Sequence, residues 1–188
     1  MIKKVKKSLE KIFPVVKNKT RMLILFFILF VLGMLYSQYL KAVFFVVLFI
    51  LIAGVSKFYH RFFKSSLGID LVFFLTVIIS LAYKNIFFSL LVAWLGLIIA
   101  DSLGHKFSYT SLVSLAGLTM IVLITRVLPF TAIISAIILT LIFEIYSVLV
   151  YWLLGSSFDR VLLYLVSHLC FNLFLIFTIS ESLLRLMI

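Results

Sequence analysis

Apolar runs of seventeen or more residues recur along the whole chain, and no other feature constrains its fold as strongly. Each run is long enough, at about 1.5 Å per helical residue, to cross a bilayer core of about 30 Å. The mean hydropathy is +1.34 and only 12% of the residues are Asp, Glu, Lys or Arg. A soluble domain of 188 residues has too little interior to hide that much apolar surface. The sequence therefore predicts an all-α, polytopic transmembrane helical bundle.

The net charge of +11 would point to nucleic acid in a soluble protein. Here eight of the 17 cations lie in "MIKKVKKSLEKIFPVVKNKTR", residues 1–21, which reads as a cytoplasmic segment on anionic lipid. Val5, Leu9, Ile12, Phe13 and Val16 form one helical stripe opposed by lysines. A short basic amphipathic helix, broken near Pro14, is one reading, and a disordered basic tail is the other. Nucleic acid is not an expected partner. The remainder, 22–188, is read as one transmembrane domain.

Residues 22–56 would span about 52 Å as one straight helix, too long for a bilayer. A turn is expected in "SQYLK", 37–41, giving spans 22–38 and 40–56. A basic aromatic loop, 57–66, follows. Further spans are expected at 68–84, 86–103, 108–126, 130–154 and 161–180, separated by "YKN", "DSLGHKFS", "RVLP" and "GSSFDR". Seven spans with a cytoplasmic N-terminus put 13 cations inside and 4 outside, as the positive-inside rule requires. A six-span version, with 39–56 in the interface or re-entering, stays open.

Gly96, Ala100 and Gly104 form a row of small residues on one helix face, and Ala132 and Ala136 a shorter one. Such rows let helix backbones approach closely in lipid. No phosphate-binding glycine loop, His/Cys metal cluster or nucleophile elbow is present, so neither an enzyme nor a bound metal or cofactor is expected. Asp70 and Asp101 are secondary polar sites near span ends, where capping and pairing explain them; Asp101 and His105 stand four apart and Asp159 adjoins Arg160. Glu144 differs. It lies about 15 Å deep in its span, where a carboxylate is costly and needs a partner inside the bundle. His168 and Asn172 share a face of the last span at bracketing depths. A Glu144–His168–Asn172 cluster would bind a polar ligand, relay a proton, or bolt two helices together.

Residues 68–126 comprise a span opened by an Asp, a brief break, a span ending in "LGLIIADSLG", and a Ser/Thr- and Gly-containing span. With the C-terminal "SHLCFNLFLIF", this order resembles two groups of small membrane proteins over residues 68–180. One is the substrate-binding S components of energy-coupling-factor vitamin transporters. The other is the rod-shape-determining membrane protein MreD. The first resemblance implies a small-solute binding or transport subunit, usually of six spans, working with other membrane and ATPase subunits. The second implies a non-enzymatic scaffold that holds partner proteins. Both imply the cell membrane.

Overall fold

The computed structural model describes residues 22–33, 37–62, 68–105 and 107–188. The basic segment 1–21 lies outside the described residues. The described residues are helical and contain no strand. Their contacts divide the chain after Lys41 into two compact units. In the first, α1 is Met22–Gly33. Helix α2, Gln38–Ser56, begins just before the boundary. The second unit continues with a 3-10 turn, Phe58–Arg61, and then α3 (Val72–Tyr83), α4 (Ile86–Leu103), α5 (Tyr109–Ile124), α6 (Ala132–Leu153), α7 (Phe158–Thr178) and α8 (Ser180–Met187).

Among the described residues, four segments are long and apolar enough to cross a membrane: α2 with the following turn, α4, α6 and α7. The apolar helices α1, α3 and α5 are shorter. Several expected boundaries move. The residues of the expected turn at 37–41 belong instead to the start of α2, which Gln38 opens. The span expected at 68–84 is helical only from Val72, and the one expected to reach 180 breaks at Ile179, φ −121°. Beyond it the polar "SES" starts the separate α8.

Local chemistry accounts for the turns. Asn85 caps α4 by accepting from the Phe87 and Phe88 N–H groups at 2.9 and 3.3 Å. Ser108 and Ser111 form a capping box at the start of α5. Lys84 closes α3 in a left-handed conformation, φ 49°, so α4 folds straight back.

Successive helices α3 to α7 pack pairwise, and α3 touches every other helix from α4 to α8. Nine of the twelve α3 residues are buried, which makes it the central rod: a helix apolar all round is stable only with neighbours on all sides. Helix α8 folds back against α3 and α7, with Leu184 and Met187 buried, and the Tyr83 hydroxyl donates to the Met187 carbonyl at 3.2 Å. The α2–α4 contact is built from small residues. A Cβ on Gly96 would stand 3.0 Å from Ala53 Cβ, and one on Gly54 would stand 2.6 Å from Ile99 Cγ2. Ala100 is wholly buried in the same row, and a Cβ on Gly104 would meet the Lys57 carbonyl at 3.0 Å.

Replacing Ala100 by Leu should therefore cost about 1–3 kcal/mol through overpacking. Thermal unfolding in detergent checks this against Ala116→Leu, whose site on α5 is exposed and should tolerate the larger side chain.

Candidate functional site

Two polar centres lie inside the second unit. The first stands where the C-terminal ends of α2, α4 and α6 meet the N-terminal ends of α3, α5 and α7. Lys57, just past α2, reaches Asp101 of α4 at 3.0 Å and Asp70, ahead of α3, at 3.4 Å. All three are largely buried, so this is an interior ion triad. Asp70 also accepts from the Val72 N–H at 3.1 Å, capping α3. Ser56 ties α2 to the same corner, its Oγ accepting from the Leu71 N–H at 3.2 Å. Burial raises the Asp70 pKa, but the Lys57 ammonium and the Val72 N–H outweigh it and hold the carboxyl below its usual range.

The expected Asp101–His105 pair is replaced. Asp101 turns inward to Lys57, while His105 is exposed past the helix end with φ 52°. A buried carboxylate gains more from an ammonium in the interior than from a histidine at the water boundary.

Beside the triad is a cavity of about 230 Å³. One wall carries Lys57, Asp70 and Asp101; the others bring Ser111 and Ser114 from α5, Tyr151 from α6, and Arg160 and Tyr164 from α7. Ser114 and Tyr151 lie hydroxyl to hydroxyl at 3.3 Å. Two acids, Lys57, Arg160 and His60 line the space. Lys57 is shared by two carboxylates, which leaves that wall with one excess negative charge, and the exposed Arg160 supplies a positive charge at the rim.

The second centre is deeper. His168 Nδ1 is hydrogen-bonded to Glu144 Oε1, joining α7 to α6. Both are buried, at 1% and 3% exposure. One proton lies between Nδ1 and Oε1. Three rings enclose the imidazole: Tyr164 stacks at 5.3 Å, and Phe73 and Phe143 stand at 5.4 Å each. Gly68 makes room from above; a Cβ there would stand 2.6 Å from His168 Cβ, and its N–H donates to Ser167 Oγ at 2.8 Å. Asn172 adjoins the pair without bonding Glu144; its Nδ2 donates to the His168 carbonyl at 2.8 Å.

The sequence reading singled out Glu144, His168, Asn172, Asp70 and Asp101, and the structure gathers them into these two centres. It passed over Lys57, Ser111, Ser114, Tyr151 and Tyr164. One signal for Lys57 was available: alternating helix direction puts residues 57, 70 and 101 at the same end of a bundle. Arg126, at the opposite end, donates from its guanidinium to the Lys84 carbonyl at 2.8 Å.

Lys57→Met would leave two buried carboxylates without a cation and should cost about 3–5 kcal/mol. The Asp70 contribution is present at neutral pH and is lost as pH falls through its depressed folded-state value. In Lys57→Met that depression disappears, so the deficit should shrink in mild acid, where the stranded carboxylates take up protons. Chemical denaturation of both proteins across pH measures the difference. At the second centre, Glu144→Leu strands the His168 N–H and should cost about 1–3 kcal/mol, whereas Glu144→Gln keeps an acceptor oxygen and should cost less.

Comparison with known proteins finds no matching family model, no matching curated protein and no matching solved structure.

Proposed function

We propose that the chain is a multi-pass protein of the cell membrane that binds a small zwitterionic solute in the cavity beside Lys57, as a binding or transport subunit of the S-component-like type. The observation that carries this reading is the cavity itself. A bundle whose helices needed only to hold one another has no use for a 230 Å³ space lined with hydroxyls and charges of both signs. The Asp70–Asp101 wall suits an ammonium group and the exposed Arg160 a carboxylate. A guanidinium suits bidentate carboxylate binding.

We place six spans, α2 to α7, across the membrane. Helices α3 and α5 are short, but they lie among neighbouring helices, where the match to bilayer thickness is relaxed. With the basic tail cytoplasmic, this arrangement puts 12 of the 17 cations inside and turns the cavity outward. Capture of a solute from outside requires that orientation. Other membrane or ATPase subunits would then supply the energy for uptake.

Thermal-shift measurements on the purified protein test the reading with free amino acids, their amides and their N-acetyl derivatives. Free amino acids should stabilise it and the singly charged derivatives should not. Arg160→Gln should weaken the effect about tenfold, equivalent to about 1.4 kcal/mol. A panel without any stabilising member would favour the MreD-like scaffold.

A further inference from the structure

Three buried side-chain oxygens at the heart of the bundle have no hydrogen-bond partner: Thr76 Oγ1, Glu144 Oε2 and Asn172 Oδ1. Their residues are 0%, 3% and 0% exposed. Buried polar atoms are normally paired, so three orphan acceptors from three helices call for a physical reason.

The surrounding hydrogen bonds leave these oxygens open. Thr119, Thr125, Thr140 and Thr178 all turn their hydroxyls back onto the carbonyl four residues earlier, at 2.6 to 2.8 Å. Thr76 does not, and its oxygen stays available. Asn172 spends its Nδ2 on the His168 carbonyl, so the opposite edge of the amide, Oδ1, points away from that bond. Glu144 gives Oε1 to His168 and keeps Oε2.

The three share one locality. Phe73, Phe143 and His168 form a ring cluster with centroids 4.8 to 5.4 Å apart, which sets α3, α6 and α7 at one level. Glu144 adjoins Phe143 in that layer. Thr76 is three residues beyond Phe73, and Asn172 four beyond His168, on the same helix faces. Both helices run away from the cavity end, so the two steps go the same way, by about 4.5 and 6 Å.

We infer that Thr76 Oγ1, Glu144 Oε2 and Asn172 Oδ1 form the core of a binding site for a dehydrated monovalent cation, Na⁺. The donor set is a carboxylate, an amide oxygen and a hydroxyl, all hard oxygen ligands suited to an alkali ion. A single carboxylate balances one positive charge. A buried carboxylate is tolerated when it is paired or binds a metal ion. Calcium takes six to eight oxygens and usually several carboxylates, which this locality lacks. No group of three or more His, Cys, Asp or Glu suited to a softer metal occurs among the described residues.

A gap of about 10 Å³, near the size of one water, shares Lys57, Asp70, Ser114 and Tyr164 with the cavity and is also lined by His168, the partner of Glu144. The site stands independently of the solute assigned to the cavity.

The test uses the purified full chain in choline chloride at constant ionic strength. NaCl should raise the melting temperature saturably by several degrees, and KCl should not. The Na⁺ response should vanish in Glu144→Gln and need at least tenfold more Na⁺ in Thr76→Val. Line broadening in ²³Na spectra of the unmodified protein gives a second readout that no variant's folding affects. Equal melting in Na⁺, K⁺ and choline, with no broadening, would overturn the inference. A full Na⁺ response in Glu144→Gln would overturn it as well.

Discussion

The ion triad at Lys57 is the interaction on which the rest of the structure depends. An ammonium at the end of α2 holds carboxylates ahead of α3 and at the end of α4, and so sets three helices at one level. Apolar packing does not fix register along the bundle, because one leucine-rich turn packs much like the next. A charge in a low-dielectric interior does fix it, because sliding by one turn would leave the charges unpaired. The small residues at 53, 54, 96 and 100 let α2 and α4 come close enough for Lys57 to reach both acids.

Below that level the Glu144–His168 bond fixes α6 to α7, and the rings of Phe73, Phe143 and Tyr164 shield it. The two centres are arranged in depth. The upper one is roomy, mixed in charge and open to one face; the lower one is enclosed. The 10 Å³ gap between them touches Asp70 on one side and His168 on the other. A ligand that altered the upper triad would thus act within one residue layer of the buried acid. This contiguity gives a solute-binding reading and a cation site a common physical basis.

The helical bundle was legible because hydropathy over seventeen-residue windows reports the one property a bilayer demands. Glu144 and His168 were legible for the same reason, since a deep acid needs a partner and consecutive helices lie side by side. Helix ends were harder to read. Ile179 sits inside an apolar stretch, and hydropathy does not register a break that needs only a local change of dihedral angle. The triad was misread at Asp101, because four-residue spacing offered His105 as a partner and sequence spacing does not reveal a lysine 44 residues away. The tyrosines that line the cavity looked like ordinary apolar helix residues; only packing shows which of them turn their hydroxyls inward.

The proposed function requires the polar cavity to face the outer aqueous phase. The most direct measurement places a single cysteine at Ser156, on the cavity wall, in a chain whose native Cys170 is replaced by Ser. Intact cells are then treated with a membrane-impermeant maleimide. The account predicts labelling without permeabilisation. Labelling only after permeabilisation would put the cavity on the cytoplasmic face and contradict it.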